Sequence, residues 1–210
     1  MKVSRLRISL TFDDGPNTTI TKDVLDLLEK YNVKASFFLI GQNINDESRL
    51  MIDRQVKNGH SIECHSWTHS QFPTLTAEEM REEVERTNAL ITECTGSKPV
   101  FFRPPYLALN DLMFQIIDMP FICGQGVDDW EESASVEHRV KGVLDNARDG
   151  MIVLLHDFEG NVKTVKALEE IIPALLERGA EFMTIRDLFD SCGVNPVRPA
   201  SEKKVWSYLF

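Results

Sequence analysis

The feature that most constrains this 210-residue chain is an alternation of short apolar runs with longer amphipathic ones. The apolar runs are RISLTF (7–12), KASFFLI (34–40), HSIECH (60–65), VFFR (100–103), FICGQGV (121–127), MIVLLH (151–156) and EFMTI (181–185). Between them lie helical patterns. TKDVLDLLEKY sets Val24, Leu25, Leu27 and Leu28 against charged positions, and NDESRLMIDRQVKNG ends on an Asn-Gly stop. TAEEMREEVERTNALITECTG opens with Thr76 and Glu79 at capping-box spacing and closes at Gly96. SVEHRVKGVLDNARDG and NVKTVKALEEIIPALLERGA fit the same template, with a kink expected at Pro173. Such alternation demands parallel strands joined by right-handed crossovers, an α/β fold. The strands are almost continuously apolar, as they are when both faces are covered. Periodicity leaves open a doubly wound sheet or a closed or partly closed barrel. Either one places functional residues at the C-terminal ends of the strands.

At 42% hydrophobic residues the chain can bury one sizeable core, and no linker or low-complexity segment divides it. A net charge of −10 argues against a nucleic-acid partner and an anionic membrane surface. No apolar run approaches a membrane span. The start, MKVSRLRISLTF, has no apolar stretch of signal-peptide length, so a cytoplasmic location is expected, or a secreted or cell-wall one if a leader has been removed. Cys64, Cys94, Cys123 and Cys192 show no CxxC pairing, and a reducing compartment is expected.

The polar residues that follow the apolar runs converge on one theme. Asp13 and Asp14 follow the first run; His65 and His69 the third; Arg103 and Tyr106 the fourth. Asp128, Asp129 and Trp130 follow the fifth, and His156 ends the sixth. Turn chemistry explains each aspartate singly but not three of five histidines at one rim. His65 and His69 are four apart, so on a helical turn both imidazoles share a face and can share a metal. A carboxylate from another strand end would complete a His-His-carboxylate set with an open position, the pattern of catalytic rather than structural zinc. With no thiolate in the set, one divalent ion is expected, Zn²⁺ by default, with Co²⁺ also compatible.

TFDDGP, HSWTH, RPPY, DDW and LLH resemble, in order and spacing, the five motifs of the polysaccharide deacetylase family, the NodB-homology domain of carbohydrate esterase family 4. The resemblance implies a distorted, partly open (β/α)7-8 barrel forming a single domain over residues 1–192. An irregular tail, 193–210, would pack on the barrel through Trp206, Tyr208 and Phe210. It further implies that Asp13 is the general base, held by Arg103, and that Asp14, His65 and His69 bind the metal. His156 would be the general acid, oriented by Asp129. The backbone N–H of Tyr106 would face the oxyanion, Trp130 and Leu154 would line an acetyl-methyl pocket, and Ser66 would brace the histidine loop. Because neighbouring strand residues point to opposite faces, Asp13 and Asp14 are not expected to compete for one place.

The family's fourth motif is commonly Asp-x-x-Asp-Trp, whereas Gly126 stands here in the first acidic position and Asp128 is an extra acid without a role. Trp67 and Phe72 read as packing residues, Asp157 as a loop cap, and His60 and His138 as surface or strand-start residues. The implied activity is hydrolysis of N-acetyl groups from N-acetylglucosamine-containing saccharides. O-acetyl esters of xylan, a small acylated or formylated sugar or amide, and a silent saccharide-binding relative are the alternatives.

Overall fold

A computed structural model describes residues 5–210; the first four residues of the N-terminal segment lie outside it. The strands are β1 (Leu6–Asp13), β2 (Ala35–Leu39), β3 (Ser61–Cys64), β4 (Phe121–Ile122), β5 (Met151–His156), β6 (Ala180–Phe182) and β7 (Val205–Trp206). The helices are α1 (Ile20–Tyr31), α2 (Asp46–Lys57), α3 (Ala77–Thr95), α4 (Met113–Ile116), α5 (Val136–Asn146), α6 (Val162–Glu177) and α7 (Ile185–Cys192).

β1 is the axis of the sheet. It pairs in parallel with β5 over Ile8–Asp13 and with β2 over Leu10–Asp13, and β3 continues beyond β2. Ile8 pairs both Met151 of β5 and Phe182 of β6, so β6 shares the edge that β2 occupies further along β1. On the remaining side single bridges carry the circuit: Cys64 to Phe102, Phe102 to Phe121, and Gln125 to Val153. One flank is thus a continuous ladder and the other a string of bridges, the distorted, partly open barrel that the motifs imply. The expected strand at 100–103 is reduced to the bridges at Phe102, and the run at 121–127 to the two residues of β4. Gly124, at φ +83°, breaks the extended backbone between β4 and the Gln125 bridge. The run at 181–185 is likewise shorter, because Thr184 caps α7 by accepting the Asp187 N–H.

The interior is apolar. Ile8, Leu10 and Phe12 of β1 are fully buried with Phe37 of β2 and Val153 and Leu155 of β5, and Phe12 stacks on Phe37 at 5.3 Å. Thr76 and Glu79 form the expected capping box of α3, and Gly96 closes that helix in the left-handed conformation. α6 continues through Pro173. The tail is more ordered than expected, since β7 pairs with β4 and Trp206 packs edge-on against Phe189. Tyr208 bridges Met151, while Phe210 stays exposed. Of the two readings of His60, the strand-start one holds and the surface one does not: it immediately precedes β3, is buried, and its Nδ1 accepts the Ala35 N–H.

Among the described residues no helix is long and apolar enough to cross a membrane. All four cysteines are free.

Candidate active site

Asp13 is the last residue of β1 and Asp14 the first beyond it, at φ 74°. Strand alternation therefore stops at Asp13, and both carboxylates turn toward His65. Asp13 Oδ2 lies 3.7 Å and Asp14 Oδ1 3.4 Å from His65 Nε2. The expectation of opposite faces fails because Asp14 is no longer extended. What separates the two acids is their partners. Asp13 Oδ1 accepts Arg103 Nη1–H at 2.5 Å, with both side chains buried. Arg103 Nη2 also donates to Thr11 Oγ1 at 2.8 Å, and the guanidinium lies over the Phe38 ring. Removing one member of so buried a pair costs about 3–5 kcal/mol, because the other charge is left uncompensated. Gly15 is required at the turn: a Cβ there would stand 2.7 Å from Asp157 Oδ2.

Asp14 Oδ1 is buried and accepts no hydrogen bond, yet it also lies 3.4 Å from His69 Nε2. One ligand atom from each of Asp14, His65 and His69 falls within 4.8 Å of the others. His65 Nδ1 must donate to the Arg103 carbonyl at 2.7 Å, which leaves the Nε2 lone pair facing Asp14. An orphaned carboxylate oxygen between two imidazole nitrogens fits a borderline divalent cation. The charges agree. Burial opposes the ionised Asp14, but the adjacent His65 imidazole prevails, with the charges of His156 and His69 adding, and the carboxyl is held at about 2. Burial likewise opposes a charge on His65, and Asp13 and Asp14 overcome it and raise its pKa. His69 is pushed down by burial and by the charge of His65.

The histidine pair does not sit on a helical turn. CHSWTH is a loop in which Ser66 (φ 72°) and His69 (φ 61°) adopt left-handed backbone, and this folding back brings the ring centroids to 4.9 Å. Ser66 Oγ accepts the His69 N–H at 3.0 Å. Glu83 of α3 accepts the N–H groups of Trp67 and Thr68, and Asn43 Nδ2 donates to the Asp14 carbonyl at 2.9 Å. Neither Glu83 nor Asn43 is signalled by the motifs; each fixes the backbone of a loop that carries a candidate ligand.

Opposite the histidines, His156 ends β5. Its Nδ1 and backbone N–H both bond Asp129, each at 2.7 Å, and Asp129 is fully buried. Burial opposes the imidazolium, but the Asp129 hydrogen bond and the charges of Asp129, Asp13 and Asp14 outweigh it, raising the pKa to about 9. The half-exposed Trp130 stands edge-on to His156 at 5.6 Å. At Gly126, where the fourth motif departs, a Cβ would stand 3.2 Å from Trp130 and 3.9 Å from Leu154. Asp128 pairs instead with His138 at the surface. Tyr106, at φ 57° and largely exposed, lays its ring 4.5 Å from that of His69. Asp157 is more than a loop cap: it is fully buried under Gly15 and accepts Thr21 Oγ1–H at 2.5 Å. A cleft of about 620 Å³, lined by Asp14, His69, Asn43, Asn45 and Phe158 among others, opens beside the cluster.

The profile described as Polysaccharide deacetylase matches residues 2–119, more than half of the chain. The chain belongs to the polysaccharide deacetylase family. It is 50% identical over 200 residues to the bifunctional xylanase/deacetylase of Pseudobutyrivibrio xylanivorans, covering 95% of this chain and 33% of that protein. It is 36% identical over 185 residues to the peptidoglycan-N-acetylglucosamine deacetylase PgdA of Listeria monocytogenes serotype 1/2a (strain 10403S), covering 87% of this chain and 39% of that one. The chain thus spans a third to two-fifths of the length of these two relatives. A family 4 acetyl xylan esterase from Clostridium thermocellum, solved in complex with a cobalt ion, superposes with a TM-score of 0.91 at 40% identity, covering 97% and 98% of the two chains.

Proposed function

We propose that this member of the polysaccharide deacetylase family is a metal-dependent hydrolase that removes acetyl groups from saccharides. The observation that carries this reading is the meeting, in one cluster, of an Arg-held carboxylate, an Asp-His-His triangle and an Asp-held imidazole. Asp14, His65 and His69 would hold a divalent ion, Zn²⁺ or Co²⁺. When bound, such an ion polarises a carbonyl and brings the pKa of a water toward 7.

The protein's own groups supply the rest. Asp13 accepts the proton of the attacking water, and Arg103 fixes it for that task while taking no part in the metal triangle. The backbone N–H of Tyr106 faces the developing oxyanion. His156 enters as imidazolium and protonates the departing nitrogen or oxygen, because Asp129 occupies its Nδ1 and leaves Nε2 to the substrate side. Trp130 and Leu154 form the wall against which the acetyl methyl packs.

The same machinery serves an N-acetylglucosamine amide, the substrate that the motifs put first, and an O-acetyl ester. The second reading, acetylated xylan, gains support from the names of the relatives at 50% and 40% identity, against 36% for the peptidoglycan enzyme. The test is acetate release by the metal-loaded protein from chitooligosaccharide, peptidoglycan and acetylxylan. Turnover of at least one is expected. Saccharide binding without acetate release from any would contradict hydrolysis and favour a silent relative.

A further inference from the structure

α5 carries a charge on its apolar side. Val136, Arg139, Val140 and Val143 share one stripe, and Arg139 is only 1% exposed. A guanidinium so buried needs partners. Its Nη1 donates to Asn161 Oδ1 at 2.7 Å and to Thr164 Oγ1 at 2.9 Å, and its Nη2 donates to the Glu131 carbonyl at 3.1 Å. All three acceptors are neutral, and Nε has no partner. The compensating carboxylate is one relay further on. Thr164 Oγ1 donates to Asp129 Oδ2 at 2.8 Å. Asn161 Nδ2 donates to the His156 carbonyl at 2.9 Å and stands 3.5 Å from Asp129 Oδ2.

The direction of these bonds is fixed. A guanidinium can only donate, so the single proton of the Thr164 hydroxyl goes to Asp129. By the same logic Asn161 presents its oxygen to Arg139 and its amide hydrogens to His156 and Asp129. Every dipole in the chain points at one carboxylate, whose other oxygen holds His156 Nδ1.

We propose that Arg139, acting through Thr164 and Asn161, is a positioning residue that fixes Asp129 against His156 for protonation of the leaving group. This rests on the function proposed above. A merely structural tie between α5 and α6 would impair every substrate alike. A positioning role impairs only reactions whose leaving group must be protonated.

Thr164→Val keeps the shape of the buried side chain and cuts the relay; Arg139→Met removes its source. In the metal-loaded protein, each is expected to lower kcat on the acetylated saccharide about tenfold with KM held. Turnover of 4-nitrophenyl acetate, whose phenolate leaves unprotonated, should stay within about twofold. Combined with Asp129→Asn, neither should cost anything further. In the proton NMR spectrum, the His156 Nδ1–H resonance should be displaced in Thr164→Val. Equal losses on both substrates, or an unmoved Nδ1–H resonance, would overturn the proposal. If Arg139→Met does not fold, Thr164→Val still decides. If the unaltered protein releases no acetate, the proposed hydrolysis falls, while the resonance still tests the relay.

Discussion

The two halves of the candidate site are held by different physical means. On the proposed metal side, Asp14, Ser66, His69 and Tyr106 all have positive φ, and the candidate ligands meet because short loops fold back on themselves. On the acid side, His156 lies at a regular strand end, and buried side chains from α5 and the start of α6 converge on Asp129. Left-handed backbone in non-glycine residues costs about 1–3 kcal/mol each and persists only where its surroundings impose it. Ser66, Glu83 and Asn43 are those surroundings. The metal side thus depends on backbone shape, and the acid side on a polarised chain of side-chain hydrogen bonds.

That contrast is open to perturbation from either side. The largest effect is expected from His65→Ala, which deletes the most buried of the three candidate ligands. The protein should lose its divalent ion by elemental analysis and at least about 10³-fold in turnover, on activated and unactivated acetates alike. Retention of a full complement of metal would mean that the triangle is not the site.

Asp129→Asn should be more selective. It should lower the rate on saccharide substrates by about 10²-fold while metal content is unchanged. The pH dependence follows from the direction of the His156 shift. Its pKa is raised to about 9, so the imidazolium is present at neutral pH and the rate should fall as pH rises through that value. In Asp129→Asn that fall should begin at lower pH, since the main group holding the proton is gone. An unmoved profile would remove His156 from the role of acid.

The smallest effect belongs to Asp157, buried between the halves. Burial raises its pKa to about 7, with the Thr21 hydrogen bond opposing and the Asp14 and Asp13 charges adding. A folded-state pKa above the unfolded one contributes stability that is full below about pH 4 and is lost as pH rises through about 7. Asp157→Asn should therefore stabilise the protein at pH 8 and progressively less toward pH 4, as read by urea denaturation. A uniform change across that range would contradict the assignment.

The same contrast explains how much could be read from residue order. β1, β5 and the capped helix α3 follow from apolar period and cap chemistry, and the acids and histidines follow from their places after apolar runs. The closing side of the barrel did not follow, because its pairing comes down to single bridges at Phe102 and Gln125 that no period can announce. Nor did the means by which His65 and His69 meet: four-residue spacing suggests a helical turn, but the loop uses left-handed residues that carry no glycine signature. The acid-side network does leave a trace. Arg139 stands in the valine stripe of α5, and Thr164 stands in line with Ala167, Leu168 and Ile171 of α6. A polar residue on an apolar stripe marks a buried hydrogen-bond network, and here two such residues face each other.

At the end of β1, two adjacent aspartates differ by one residue and by partner, a guanidinium for Asp13 and two imidazoles for Asp14. The most direct test compares metal content and acetate release in Asp13→Asn and Asp14→Asn, purified side by side. Asp13→Asn should retain about one ion per chain and lose about 10²–10⁴-fold in turnover, whereas Asp14→Asn should lose both ion and turnover. If Asp13→Asn loses its metal while Asp14→Asn keeps it, the two carboxylates have the opposite roles.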